Sequence, residues 1–184
     1  MNLTPTLSFA EEIRKRSGED VNLCYQCGRC SAGCPTSYIM DVVPHRLIHS
    51  IRLGREEFIL GSKTMWLCAS CETCSTRCPR DIDIAKIMDN LKILSVEKGI
   101  KTPVPEVSAF YSSALNSIRR FGRIHELSMV TEIKLKTHQF MRDLKLGLQM
   151  MRMGKIKLLP ETNATRRGIV RDIFANVKKR EKGQ

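Results

Sequence analysis

The chain has 184 residues, 42% of them hydrophobic but only 5% aromatic, which leaves room for one domain, or a small domain with an appendage, around a core of Ile, Leu, Met and Val. No run approaches the roughly 20 apolar residues that cross a bilayer, and "MNLTPTLSFAEEIRKR" lacks the basic-then-apolar order of a secretory signal, so a soluble, cytoplasmic chain is expected. The net charge of +12 is lopsided: 13 Lys and Arg face 12 Asp and Glu through Ile100, against 18 and 7 from Lys101 onward.

In chain order, "SFAE" from Ser8 reads as a capping box with Glu11 and opens a helix that ends before Gly18. Next comes "CYQCGRCSAGCP", Cys24 to Pro35, and later a near copy, "CASCETCSTRCP", Cys68 to Pro79; together they hold all eight cysteines. Between them, Leu47, Ile48 and Ile51 recur at helical spacing after Pro44, an allowed first-turn position. Behind the second run, Ile84, Ile87, Met88, Leu91 and Leu94 form an apolar stripe, closed by Gly99 as a helix cap. "KTPVPE" reads as a linker with two prolines. Val107, Phe110, Tyr111, Ala114, Leu115 and Ile118 mark another helix. Phe140, Met141, Leu144, Leu148 and Met151 mark a further one, ended near Gly154. Arg166 to Lys179 reads as a last, basic helix with Ile169, Ile173 and Val177 on one side. Strand alternation is weak throughout. The expectation is a mainly α protein: a helical cysteine domain over 1–100 and a basic helical extension over 101–184.

The cysteines admit three chemistries. An even count permits disulfides, but four cysteines packed this tightly are a poor disulfide framework. Structural zinc favours two CxxC pairs across a longer spacer, whereas each run here is one continuous C-x2-C-x2-C-x3-C-P. That run is the ligand pattern of bacterial two-cluster [4Fe–4S] ferredoxins, whose fourth cysteine serves the other cluster. Three cysteines at intervals of three curl around one face of a cubane; the next lies four residues on, pointing out of the loop, and proline then helps to end it. Thiolates are the soft ligands that such clusters select. The expected ligand sets are Cys24, Cys27, Cys30 and Cys78 for one cluster, and Cys68, Cys71, Cys74 and Cys34 for the other. Every thiol is then used, no iron is left open to substrate, and crossed ligation holds the two clusters close. Such a pair reads as a wire.

Other signals are weaker. His45 and His49, spaced i, i+4, read as helix-surface or packing residues; His125 and His138 have no partners nearby in sequence. "GSKT" at Gly61 has the wrong spacing for a P-loop and reads as a turn, and no GxGxxG nucleotide fingerprint occurs. The Met-rich "GLQMMRMGK" fits either a docking surface or core packing. Arg77 and Arg80, flanking Cys78 and Pro79, are either solvated or raise a cluster's potential. The basic half scatters its charge among apolar stripes with few aromatics to stack bases, so an acidic protein partner is favoured over nucleic acid.

The two cysteine runs and the following "RDIDIAKIMDNLK" resemble the C subunit of heterodisulfide reductase from methanogens and related anaerobes, most firmly from Leu23 to Leu94, with "MGKIKLLP" adding to it. Succinate dehydrogenase, fumarate reductase, glycolate and glycerol-3-phosphate oxidising systems share the cysteine motif. The chain lacks, however, the plant-type [2Fe–2S] domain of the first two and the Cys-Cys-Gly motifs of fused relatives. The resemblance implies an α-helical ferredoxin fold and an electron-transfer role within an oxidoreductase complex, with no substrate site in this chain. A flavin-containing partner of that complex would supply electrons, fed in turn by a hydrogenase or formate dehydrogenase. A catalytic partner with Cys-Cys-Gly motifs would reduce the coenzyme M–coenzyme B heterodisulfide. The competing readings are a similar relay in another anaerobic respiratory complex and an iron–sulfur protein that binds nucleic acid.

Overall fold

The computed structural model describes residues 7–137, 144–154 and 164–182, and every regular element among them is helical. The chain falls into two units, Met1–Val104 and Pro105–Gln184. The first begins with α1 (Leu7–Ser17), which stops where Gly18 takes a left-handed φ of 75°. Around the first cysteine run lie α2 (Arg29–Ala32) and a 3-10 turn at Ser37–Ile39. Then come α3 (Pro44–Arg52), α4 (Glu56–Leu60) and α5 (Thr64–Leu67). The second run contains α6 (Thr73–Thr76) and leads into α7 (Ile84–Glu97).

Two of these helices carry the core, for reasons visible in their sequences. Pro44 occupies the first turn of α3, where its missing N–H is not needed, and Leu47, Ile48 and Ile51 then fall on one buried face. Asp83 caps α7 by accepting the Lys86 N–H at 3.1 Å, and Ile87, Met88, Leu91 and Leu94 line its buried side. α1 packs on both helices, bringing Phe9 and Ile13; α4 and α5 close the far side of α7 with Ile59, Leu60 and Met65. Each such side chain contributes about 1.5–3 kcal/mol on burial. Serines in this core are satisfied by carbonyls: Ser17 Oγ donates to that of Ile13 in its own helix at 2.7 Å, and Ser95 Oγ to that of Leu60 on α4 at 3.3 Å. Gly99, at φ 65°, follows α7 as its stripe foretold.

The "GSKT" stretch is a turn that opens α5. There Asp41 accepts the Lys63 N–H at 2.9 Å, the Thr64 N–H at 3.1 Å and the Thr64 hydroxyl at 2.6 Å. Thr64, itself buried, also receives the Val42 N–H at 3.0 Å. This knot ties the approach to α3 to the start of α5, the two segments that run into the cysteine sites.

The second unit contains α8 (Pro105–Phe121), α9 (Glu126–Thr137), α10 (Leu144–Arg152) and α11 (Ala164–Lys182). Pro105, expected in the linker, starts α8 instead, again at a tolerated position. α9 has no counterpart in the sequence reading, because its apolar residues do not gather into one stripe. Phe140 and Met141 lie outside the described residues, as does His138. α8 buries Ala109, Ser113 and Ser117, while Phe110, Tyr111 and Leu115 are more than 40% exposed. Small residues let α9 approach closely, and polar contacts join the pair: Asn116 Nδ2 donates to Glu132 at 2.6 Å and Lys136 to Ser112 at 2.8 Å. On α11, Ile169, Ile173 and Val177 share one side and are about half exposed. None of the described helices is long and apolar enough to cross a membrane.

Burial pushes the Asp41 carboxyl up, but the Thr64 hydroxyl and the N–H groups of Lys63, Asp41 and Val42 outweigh it and hold the carboxyl below its usual range. The stabilisation is therefore present above the ordinary carboxylate pKa and is lost as pH falls through the lower folded value. Asp41→Ala should cost about 1 kcal/mol near neutrality, the low end because the carboxylate is partly solvated. The gap from wild type should close on acidification. Anaerobic urea unfolding across a pH series measures it; a gap that widened in acid would contradict this role.

Candidate metal centres

The two cysteine runs share one backbone course. In the first, Gln26 and Gly28 have φ of 62° and 78°; at the equivalent places in the second, Ser70 and Glu72 have 48° and 59°. These left-handed residues fold each loop back on itself, so that three thiols separated by two residues face the same way. Three of the four are not glycine, and each such residue costs roughly 1–2 kcal/mol. The third cysteine of each run then sits inside a short helix, Cys30 on α2 and Cys74 on α6, while the second ones, Cys27 and Cys71, are exposed.

Two cavities result, and each draws cysteines from both runs. Cys24, Cys27, Cys30 and Cys78 line one of them, about 320 Å³ of empty space including the solvent that enters it, walled by Ile48, Ile82 and Ile84. Cys34, Cys68, Cys71 and Cys74 line the other, about 350 Å³, walled by Met40, Ala85 and Met88. The starts of α3 and α7 reach both: Pro44 and Ala85 line the second cavity, His45 and Ile84 the first. The apolar walls come from the same stripes that build the core.

The serine after each third cysteine fastens its loop to the helix behind it. The Ser31 hydroxyl accepts the His45 N–H at 3.0 Å and pairs with His45 Nδ1 at 2.7 Å. Ser75 accepts the Ala85 N–H at 3.3 Å and donates to Asp83 at 2.7 Å. That bond is the leading cause of a lowered Asp83 carboxyl pKa. The repeat is thus obeyed by the serines and broken by their partners, a histidine in one loop and an aspartate in the other. His45 is half-buried and packs into the wall, while His49 is exposed on the helix surface, so the pair divides between the packing and surface roles that its spacing suggested. The "CxxCS" shared by both runs was the legible trace of this device.

The thiols differ by position. Burial, opposed by Ser31 and reinforced by the negative charges of Cys24 and Cys74, pushes the Cys30 thiol up to about 11. Burial likewise raises Cys74, while the Thr73 hydroxyl and N–H lower Cys71. Because Cys30 and Cys34 of the first run line different cavities, as do Cys74 and Cys78 of the second, the sites adjoin. Polar groups also reach the sulfurs: Gln26 Nε2 donates to Cys24 Sγ at 3.2 Å, and the hydroxyls of Thr73 and Thr36 lie 3.4 and 3.5 Å from Cys71 and Cys34. Hydrogen bonds to sulfur are one of the levers on a cluster's potential. The thiols stand around a cavity and do not converge on a point: among the described residues no three Cys, His, Asp or Glu are placed to share a single ion. Four soft donors around a hollow with apolar walls fit a cubane, which takes one thiolate per iron.

Comparison with known proteins agrees with that fit. Residues 23–83 match the family model of the 4Fe-4S dicluster domain. The chain is 26% identical over 136 residues to the C subunit of the H(2):CoB-CoM heterodisulfide,ferredoxin reductase of Methanothermobacter marburgensis, covering 72% of this chain and 74% of that one. It is 35% identical over 109 residues to an iron-sulfur C subunit of the CoB--CoM heterodisulfide reductase of Methanocaldococcus jannaschii, covering 57% and 55%. With the C subunit of the Ferredoxin:CoB-CoM heterodisulfide reductase of Methanosarcina mazei it shares 36% over 92 residues, covering 50% and 56%. The chain is a homologue of the heterodisulfide reductase C subunit. It carries two [4Fe–4S] clusters and has an iron–sulfur electron-transfer role. The chain spans only a little over half the length of the last two relatives.

Glu72 lines the second cavity and has no carboxylate counterpart in the first, where Gly28 stands at the equivalent place. Glu72→Gly should relax the left-handed strain by about 1 kcal/mol and, with the negative charge gone, raise the midpoint potential of the centre beside it. Glu72→Gln should raise the potential without the gain in stability. Redox titration followed by electron paramagnetic resonance, with parallel unfolding curves, separates the effects. A lowered potential in either variant would exclude the electrostatic role.

Proposed function

We propose that this chain is the relay subunit of a cytoplasmic heterodisulfide reductase complex. It receives electrons from a flavin-containing subunit and delivers them to a catalytic subunit that reduces the coenzyme M–coenzyme B heterodisulfide. The observation that carries this reading is the cysteine arrangement: two adjoining cavities, each lined by four thiols drawn from both runs, with no thiol left over. Cys24, Cys27, Cys30 and Cys78 are proposed to hold one cluster and Cys68, Cys71, Cys74 and Cys34 the other. When bound, each cluster passes single electrons. The chain's own part is to hold the thiolates at fixed separation, to keep water from the apolar walls, and to brace both loops through Ser31 and Ser75.

Residues 101–184 are proposed as the docking extension of the domain over 1–100. The half-exposed Ile169, Ile173 and Val177 on a helix rich in Arg and Lys suit a groove that is apolar at its floor and acidic at its rim.

Crossed ligation is testable residue by residue. Wild-type chain should hold about eight irons. Cys78→Ser should perturb the centre of Cys24, Cys27 and Cys30, and Cys34→Ser that of Cys68, Cys71 and Cys74, as resolved by electron paramagnetic resonance. The reverse assignment would show that each run serves its own cluster.

A relay with no free thiol and no nucleotide fingerprint in its sequence conducts but does not catalyse. Isolated chain loaded with both clusters should be reduced and reoxidised reversibly by a dye and should not turn over the heterodisulfide. Turnover should appear when the candidate catalytic subunit is added. Sustained reduction by the chain alone would overturn the proposal.

A further inference from the structure

Cys78 and Cys34 hold equivalent places in the two runs, each the fourth cysteine and each followed by proline. Their surroundings differ in charge. Arg29, Ala32, Thr76, Arg77, Cys78 and Pro79 line an open pocket of about 660 Å³, counting the solvent that enters it. Arg80 is exposed directly after Pro79. Where the repeat would put matching residues for Arg29, Arg77 and Arg80 on the other side, the sequence has Thr73, Gly33 and Thr36. Each arginine breaks the repeat, and all three belong to the Cys78 side.

The side chains of these arginines are exposed, and none of them has a hydrogen bond or ion pair among the described residues, whereas the side chains of Arg14, Arg16 and Arg52 are each engaged. No carboxylate lines the pocket. Arg77 lies across Gly33 so closely that a Cβ there would meet its guanidinium at 2.7 Å. Its charge is thereby laid from the second run onto the first. A small ligand normally buries most of its surface in a pocket, and this one is too open for that. A protein surface can cover it, and paired carboxylates match arginine forks.

We propose that the Cys78 face is the port at which a carboxylate-bearing protein docks, pairing its acids with Arg29 and Arg77, so that electrons enter or leave through the centre at Cys24, Cys27, Cys30 and Cys78. The inference rests on the relay reading above. Each encounter moves one electron between two one-electron centres, and no bond is made or broken.

The test uses the complex purified anaerobically through a tag on this chain. Iron content and visible spectra are recorded first: missing clusters would strike at the relay reading, whereas intact clusters with a silent patch strike only at the port. Arg29→Lys/Arg77→Lys gives the patch amines that a zero-length carbodiimide joins to carboxylates in ion-pair contact. Coupling of position 29 or 77 to an Asp or Glu of a partner protein is expected. Arg29→Glu/Arg77→Glu should weaken association with that partner about tenfold or more at low salt, mainly in the association rate. The matched charge change Lys15→Glu/Arg55→Glu should leave it unaltered. Absence of coupling in an assembled complex would overturn the port. So would unchanged association of the reversed variant, or protection of the patch by inorganic phosphate with no protein carboxylate joined.

Discussion

Three thiols spaced by two residues can face one hollow only if the backbone between them reverses its curl. The left-handed conformations at Gln26, Gly28, Ser70 and Glu72 are that reversal, and the rest of the first unit is arranged so that it persists. A loop holding two such residues would straighten if left alone. Here each third cysteine sits in a helical turn, and each following serine hydrogen-bonds the start of the helix behind it. The strain is local, and the restraint comes from α3 and α7, whose apolar stripes anchor in the core.

The same two helices serve three purposes at once. Their stripes exclude water from the core, their first turns wall both cavities, and their N-terminal ends receive the serine hydroxyls. This economy explains why the domain needs so few aromatics. Chain segments that pass close to the cavities are tied by short polar knots, of which Asp41 with Thr64 is the most extensive. Long side chains there would compete for the space that the thiols surround.

The two halves of the site are related by a repeat that is close in backbone and loose in chemistry. Ser31 meets a histidine and Ser75 an aspartate; Glu72 stands where the first run has glycine; three arginines crowd the Cys78 side. A pair of equal centres would give an electron no reason to prefer either. Substitutions that leave the loop geometry intact while altering nearby charge are the means by which a duplicated site becomes directional.

Much of this was legible from the chain alone. Spacing between cysteines is a local property, so the runs announced two cubanes, and the helical periods of Leu47–Ile51 and Ile84–Leu94 announced the helices that support them. The second unit was less legible. α9 has no single apolar stripe to betray it, and α8 buries its small residues while exposing Phe110 and Leu115, because close approach of two helices can outweigh the burial of large side chains. What only the tertiary structure decided is which residues meet across long separations. The hydrogen bond of Ser31 to His45, the knot of Asp41 with Thr64, and the laying of Arg77 on Gly33 depend on how α2, α6 and their surroundings pack against α3, α5 and α7. Packing is a sum of many weak contacts among distant residues, and no local pattern in the sequence encodes it.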